Sequence, residues 1–323
     1  MERFEGRIAV VTGGGTGMGR ELTRQLAAAG CSVATCDVSA ENMADTKALA
    51  DAEATYGATV STFRADVADE EQLIAFREHV RVAHATDHIH LLFNNAGIGG
   101  GGRFVGDGRD EWEKVFAVCW GGVYLGTRTF LPLLLAADEG HVVNTSSVNG
   151  FWASLGPAIP HTAYSAAKFA VKGFTEALIT DFRVNAPHVR ASVVMPGHIG
   201  TSIVFNSGQY FDRNPKELSS EHVADIRDRF GRQGVDLSAA SDEDIRNVVV
   251  QRAESFRDDA PTTAAQAATI ILDGVRRNEW RILVGDDARV VDEMVRTDPV
   301  NAYEQSFADT LKSRQIFGFT DAS

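Results

Sequence analysis

Tyr164 and Lys168 stand one helical turn apart in AYSAAKFAVKGF, Ala163 to Phe174, where almost every other residue is small or apolar. Residues four apart on a helix share a face, so the phenol and the ammonium are neighbours. A phenol has an ordinary pKa near 10 and is a poor base at neutral pH unless a nearby cation favours the phenolate. Lys168 offers that cation, and the pair reads as a proton donor and acceptor of tuned strength. Taken alone it fits a solvated surface couple as well, and the rest of the chain has to decide.

A second chemical signal lies near the N-terminus. VVTGGGTGMGRELTRQLAAAG sets Gly13, Gly15, Gly17 and Gly19, with Thr16 and Met18 among them, between an apolar run and a helical segment. Glycines there permit unusual backbone angles and let a pyrophosphate approach the amides at a helix N-terminus. The next apolar run, SVATC, ends at Asp37. A carboxylate about twenty residues beyond such a loop can accept from both ribose hydroxyls of an adenosine. A 2′-phosphate would meet like charge, and no Lys or Arg occupies Gly14 to Thr16 or Val38 to relieve it, so NAD is expected over NADP.

The bulk numbers exclude other classes. The 323 residues are 44% hydrophobic and 23% charged, an ordinary globular composition. A formal charge of -13 opposes nucleic acid and anionic membrane surfaces as partners. Cys31, Cys36 and Cys119 form no CxxC and point to a reducing compartment. The N-terminal stretch leaves no room for a secretion signal, and we expect no apolar run long enough to span a bilayer and a cytoplasmic location. His84, His88 and His90 fall across a turn rather than on one face, so no metal site is expected.

Short β-branched runs alternate with helical segments from IAVVT to VRASVVM. Apolar strands separated by helices imply an α/β fold, a doubly wound Rossmann-type parallel sheet of about seven strands flanked by helices. The alternation breaks over residues 198–260, which are polar, helix-compatible and strand-free by pattern, and resumes over 261–297 before a tail at 298–323. We read 1–323 as one domain and 198–260 as a helical insertion placed to act as a substrate lid.

TGGGTGMG, then NNAG at Asn94 to Gly97, NTSS at the fifth strand and YSAAK on the following helix together resemble the short-chain dehydrogenase/reductase family. The resemblance covers Arg7 to Thr201 and the last helix and strand, and it implies an NAD(P)-dependent hydride transfer between an alcohol and a ketone. It implies that Ser147 holds the substrate oxygen beside Tyr164, and that Lys168 also bonds the nicotinamide ribose. Asp66, followed by Val67, matches the acidic residue at the adenine. Asn94, Ala96 and Gly97 match the segment beside the cofactor, and Pro196, Gly197, Ile199 and Thr201 the segment that wraps the nicotinamide. The YSAAK helix commonly forms a subunit interface in this family, and the small Ala163, Ala166, Ala167 and Ala170 allow close packing, so a homodimer or homotetramer is expected.

Two departures stand out. Cys119 lies where the family usually places an asparagine that anchors a relay water, and a thiol is a weaker hydrogen-bond partner. Ser147 and Tyr164 are 17 positions apart, a few more than usual. The segment between them adds Asn149, Phe151, Trp152, Leu155 and Ile159 near the expected pocket. With Phe205, Tyr210 and Phe211 in the lid they suggest a mainly apolar alcohol or ketone as substrate. A related epimerase or dehydratase, or a cofactor-sensing protein without turnover, are the alternatives.

Overall fold

Successive side chains of a strand point to opposite faces of a sheet. In β1 (Ile8–Thr12) this sends Val10 into one apolar layer and Ala9 and Val11 into the other. The strands are apolar on both sides because helices cover both sides. The computed structural model describes residues 1–323 except 107, 157–158, 233–235, 315 and 317–323.

The first half runs β1, α1 (Gly17–Ala28), β2 (Ser32–Asp37), α2 (Ala40–Glu53), β3 (Val60–Arg64), α3 (Glu70–Ala83) and β4 (Leu91–Asn94). Then come α4 (Arg109–Phe116), a π-helical turn (Ala117–Gly121), α5 (Gly122–Leu135), β5 (Gly140–Thr145), α6 (Thr162–Asn185) and β6 (Val189–Pro196). After β6 follow β7 (Ile199–Gly200), α7 (Ile203–Tyr210), α8 (Ser220–Arg232), α9 (Asp242–Asp258), β8 (Thr262–Thr263) and α10 (Ala264–Arg276). The described chain closes with β9 (Arg281–Val284), α11 (Asp286–Thr297) and α12 (Gln305–Ser313).

Seven strands form one parallel sheet in the order β3-β2-β1-β4-β5-β6-β9. This is the doubly wound, Rossmann-type arrangement expected from the sequence. The order reverses between β1 and β4, and ligands of such sheets bind at the carboxyl ends of the strands beside that reversal. One core layer joins the sheet to α3, α5 and α6 through Phe76, Phe130 and Phe182, and the other joins it to α1 and α10 through Leu22, Leu26, Ile271 and Leu272.

Two expectations need correction. Residues 198–260 are mostly helical, but β7 pairs in parallel with β8 and closes the neck of that segment. Two-residue strands are too short to leave a periodic signal. Second, α4, the π turn and α5 form a continuous helix, Arg109–Leu135, long and apolar enough by length and composition to cross a membrane. More than half of its apolar stretch is buried inside the fold, where it lies on the sheet. The tail carries α12, whose Phe307 and Leu311 gather with Ala302 and Val291 around Trp152.

The histidines serve the architecture. His90 Nδ1 accepts from the Ile8 amide, and His84 bonds the Ser61 hydroxyl. Among the described residues no cluster of His, Cys, Asp or Glu is placed to hold a metal. His141 lies buried in β5 with Nε2 2.7 Å from the Ser192 hydroxyl of β6, and burial pushes its imidazole down to about 3. The neutral form is thus favoured on folding. The stabilisation is complete above the unfolded value of about 6.5 and is lost as pH falls toward 3. Denaturant titrations at pH 6.5 and pH 5 should show a loss of about 2 kcal/mol from this group. A His141→Gln variant, whatever its stability at pH 6.5, should show a shallower decline over that range.

Candidate functional site

The phosphate-type turn lies between β1 and α1, where the sequence puts its glycines. Gly13 takes a φ of +68°, and a Cβ there would lie 2.7 Å from the Ala96 Cα. A Cβ on Gly19 would run into the Gly13 carbonyl, so the first turn of α1 can pack on the loop only as glycine. Thr16 precedes α1 without a side-chain capping bond, and no acidic residue sits in the first turn. The leading amides of α1 are left for an anion.

Asp37 ends β2, as expected. Its Oδ2 accepts from the Gly15 amide at 3.0 Å and its Oδ1 from the Ser39 amide, so the carboxylate is tied to the glycine turn. The structure adds a cation that the sequence reading passed over. Arg64 of β3 stands opposite Asp37 in the strand register, and its Nε donates to the Val38 carbonyl. Arg20 is also close, with its guanidinium bonded to the Gly15 and Asn42 carbonyls.

The ends of β4 and β6 complete a cradle. Thr12 Oγ1 accepts from the Asn95 and Ala96 amides and so ties β1 to the start of the NNAG segment. Asn94 Nδ2 bonds Thr127 of α5 and Asn144 of β5. Asn95 Oδ1 is buried without a partner, a polar atom left for a ligand. Thr201 packs against Gly17, which brings the segment after β6 onto the glycine turn. Pro196 ends β6 opposite Val284 of β9, and Ile199 is buried in the α1 and α10 layer beside half-buried Met18.

Lys168 is the most strongly constrained side chain here. It is 2% exposed, Nζ donates to the Thr145 carbonyl at 2.9 Å, and it lies 5.3 Å from the centre of the Tyr164 ring. Gly97 lies beside the ammonium, where a Cβ would make an ordinary contact with Nζ at 3.6 Å. Ser147 acts on the Tyr164 phenol as a hydrogen-bonding neighbour that favours the phenolate. Burial, however, outweighs that help and holds the phenol above its ordinary value. Burial also pulls the Lys168 ammonium down. Spacing alone suggested a phenol tuned toward neutrality. The correction comes from the apolar cluster around Tyr164, which penalises its charged form.

Cys119 sits in the π-helical turn, and its thiol donates to the Ile98 carbonyl at 3.2 Å. The thiol therefore stitches the wide turn to the segment after β4. Such turns inside α-helices are frequent at functional sites.

The residues expected to line the substrate pocket are dispersed. Asn149 is buried and staples its own loop, bonding the Trp152 and Ser154 carbonyls. Trp152 turns away to α12, with Nε1 on the Ala302 carbonyl at 2.8 Å, and Phe151 packs with the same cluster under Arg281. Large apolar side chains after β5 found a dry partner in the C-terminal segment, which local sequence cannot announce. Ile159 is exposed, and Phe205 lies beside the cations of Lys216 and Arg257 within the insertion. Tyr210 and Phe211 do pack on the cluster that contains Tyr164. The Tyr210 hydroxyl donates to Asp66 at 3.3 Å, which pairs it with the carboxylate next to Val67 rather than with Ser147.

Two groups went unnoticed in the sequence. Asn206 of α7 donates to Thr16 Oγ1 at 2.8 Å, and Ser207 Oγ accepts from the Gly99 amide, so α7 rests on the glycine turn and the chain just after NNAG. Asp287, buried at the start of α11, accepts from the His198 amide at 2.6 Å and from its neighbour Ala288. Its carboxylate lies where a Cβ on Gly197 would be, so it backs the segment after β6. GDD following β9 was the available signal, but its partner is almost ninety residues away in sequence.

The bare α1 N-terminus, the glycine cradle, the unpartnered Asn95 oxygen and the Lys168 ammonium fit a dinucleotide. Comparisons with known proteins agree. The short chain dehydrogenase family model matches residues 7–209. The Mycobacterium tuberculosis protein SadH, named as an oxidoreductase, is 34% identical over 296 residues, 92% of each chain. Levodione reductase of Leifsonia aquatica is 34% identical over 226 residues, 68% of this chain and 80% of that one. A Burkholderia phymatum short chain dehydrogenase/reductase solved in complex with NAD superposes with a TM-score of 0.71 at 28% identity, covering 92% of this chain and 96% of the other. With the parallel sheet, the glycine turn and the Tyr164 and Lys168 helix already in place, these matches establish that the chain belongs to the short-chain dehydrogenase family of oxidoreductases.

Proposed function

We propose that the protein transfers a hydride between NAD(H) and a mainly apolar secondary alcohol or its ketone, with Tyr164, Lys168 and Ser147 handling the proton. The observation that carries this reading is the burial of the Lys168 ammonium beside the Tyr164 ring at the carboxyl end of β5. A charge is kept out of water there only with a use for it.

NAD, when bound, supplies the hydride acceptor and a positive charge on the nicotinamide. The chain's residues do the rest. Tyr164 gives the proton to the carbonyl oxygen in reduction and takes it in oxidation. Ser147 orients that oxygen and stabilises charge developing on it. Lys168 would hold positive charge 5.3 Å from the centre of the phenol ring, where a cation favours the phenolate. Gly13 to Gly19 and the first turn of α1 would hold the pyrophosphate, Asp37 the adenosine ribose, and Asp66 with Val67 the adenine side. Asn94, Ala96, Gly97 and Pro196 to Thr201 would flank the nicotinamide half. In this reading α7 is the lid, since Asn206 touches the glycine turn and Ser207 the chain just after NNAG.

Levodione reductase, by its name, acts on a ketone, and its similarity supports a ketone substrate. The apolar core layer on which Tyr164, Tyr210 and Phe211 all pack supports a largely apolar one. Asp37 favours NAD, while Arg64 beside Val38 is the feature that would ease a 2′-phosphate. The outer faces of the π turn, α5 and α6 carry Trp120, Tyr124 and Phe174 in ring contact, with Phe169 exposed nearby. That surface supports a homo-oligomer. The alanines contribute less than expected, because Ala163 and Ala167 face the core.

Absorbance of NADH, followed with a panel of hydrophobic secondary alcohols and ketones, tests the reading. Turnover should occur, and Tyr164→Phe should lower kcat/KM about 10²- to 10⁴-fold with the dinucleotide affinity retained. Tight NAD binding without turnover across the panel would support a cofactor-sensing protein instead. Asp37→Ala should weaken NAD binding by about 10- to 100-fold and leave NADP binding unchanged or tighter. Equal loss for both dinucleotides would place the carboxylate in a structural role. Size-exclusion chromatography should show an oligomer that Phe169→Glu combined with Tyr124→Glu breaks into monomers.

A further inference from the structure

One polar ring in the Tyr164 neighbourhood has no task in the chemistry above. His161 immediately precedes α6 and stacks on Tyr164, with ring centres 4.7 Å apart and planes tilted by 34°. Its ring makes no capping bond to the helix and no hydrogen bond to another described residue. The backbone around it is well tied, since the Thr162 and Ala163 amides bond the Gly102 and Gly101 carbonyls and the Thr162 hydroxyl accepts from Trp112. The ring is thus held in place with its nitrogens unspent.

Burial holds the imidazole down at about 4, so it is neutral at physiological pH. A neutral imidazole has one N–H donor and one lone pair. His161 is partly buried, and the cluster on which its stacking partner Tyr164 packs, with Ile98, Val115 and Ala163 in it, offers its nitrogens no partner. A carbonyl or hydroxyl oxygen of a bound molecule would complete His161. A phenol and an imidazole stacked this closely present hydrogen-bonding atoms within the span of one small ring.

We propose that His161 is a specificity-determining residue that binds a second oxygen of the substrate, so that the preferred substrate is a compact diketone or hydroxyketone rather than a ketone with a wholly apolar remainder. The inference rests on Tyr164 being the proton donor at the reacting oxygen, and it narrows the substrate class given above. Hydride and proton go to one carbonyl, and the second oxygen is held unchanged.

The test compares 1,4-cyclohexanedione with cyclohexanone under NADH in the full-length protein. A site built to hydrogen-bond a substrate group discriminates against the analogue that lacks it, because its own polar atom is then left unpaired. The wild-type kcat/KM ratio of dione to monoketone should be about 10-fold or more after the twofold statistical factor. His161→Phe, which keeps a ring on Tyr164 but has no nitrogen, should bring the ratio close to that factor. His161→Gln, with a donor and an acceptor, should retain part of it. An unchanged ratio in His161→Phe overturns the proposal whatever the absolute rates, and so does a wild-type enzyme that reduces both ketones equally well. Failure of the wild type to reduce any ketone would overturn the Tyr164 reading and this inference with it. Turnover of the monoketone without preference for the dione would remove only this inference.

Discussion

An ammonium taken almost wholly out of water at the end of β5 is the constraint around which the site is organised. Burial disfavours a lone charge strongly, and Lys168 meets it with the Thr145 carbonyl and the face of the Tyr164 ring. To reach that position α6 must lie tight on the sheet. The Lys168 carbonyl accepts from the Ser146 hydroxyl at 2.8 Å, and a Cβ on Gly150 would come 2.8 Å from the same oxygen. The short turn that carries Ser147 is therefore set by the packing that buries Lys168, and the three groups arrive together or not at all.

What could be read from the sequence was local or carried by strand order. Alternating runs imply a parallel sheet, and a glycine turn between a strand and a helix implies its own geometry, because each depends on residues a few positions apart. Asp37 was legible for the same reason. Trp152 was not. Its indole finds the Ala302 carbonyl 150 positions later, and a large apolar residue near a pocket looks the same whether it lines the pocket or leaves it. Tyr210, Asn206 and Asp287 share that difficulty, since their partners Asp66, Thr16 and His198 belong to distant elements. The state of Tyr164 was misread because spacing reveals a cation one turn away but not the low-dielectric surroundings that oppose it.

Cys119 shows how a weak group can hold a demanding geometry. The π turn interrupts the regular helical ladder beside Gly97 and Lys168, and a single thiol bond to the Ile98 carbonyl joins it to the segment after β4. The helix on either side is fastened by Val115 and Phe130 in the core. With both flanks fixed, the thiol has only to fill the space and satisfy one carbonyl, for which a buried cysteine is well suited.

The link between Trp152 and α12 bears on synthesis. Chains emerge N-terminus first, and domains form as their parts become available. The glycine turn, the sheet through β6 and the Tyr164 helix all precede residue 197, but the cluster that seats Trp152 needs Ala302, Phe307 and Leu311. The loop joining Ser147 to Tyr164 therefore reaches its final packing only near the end of translation. A ribosome-bound chain would hold the glycine turn and the α6 helix before the loop between Ser147 and Tyr164 has its partner.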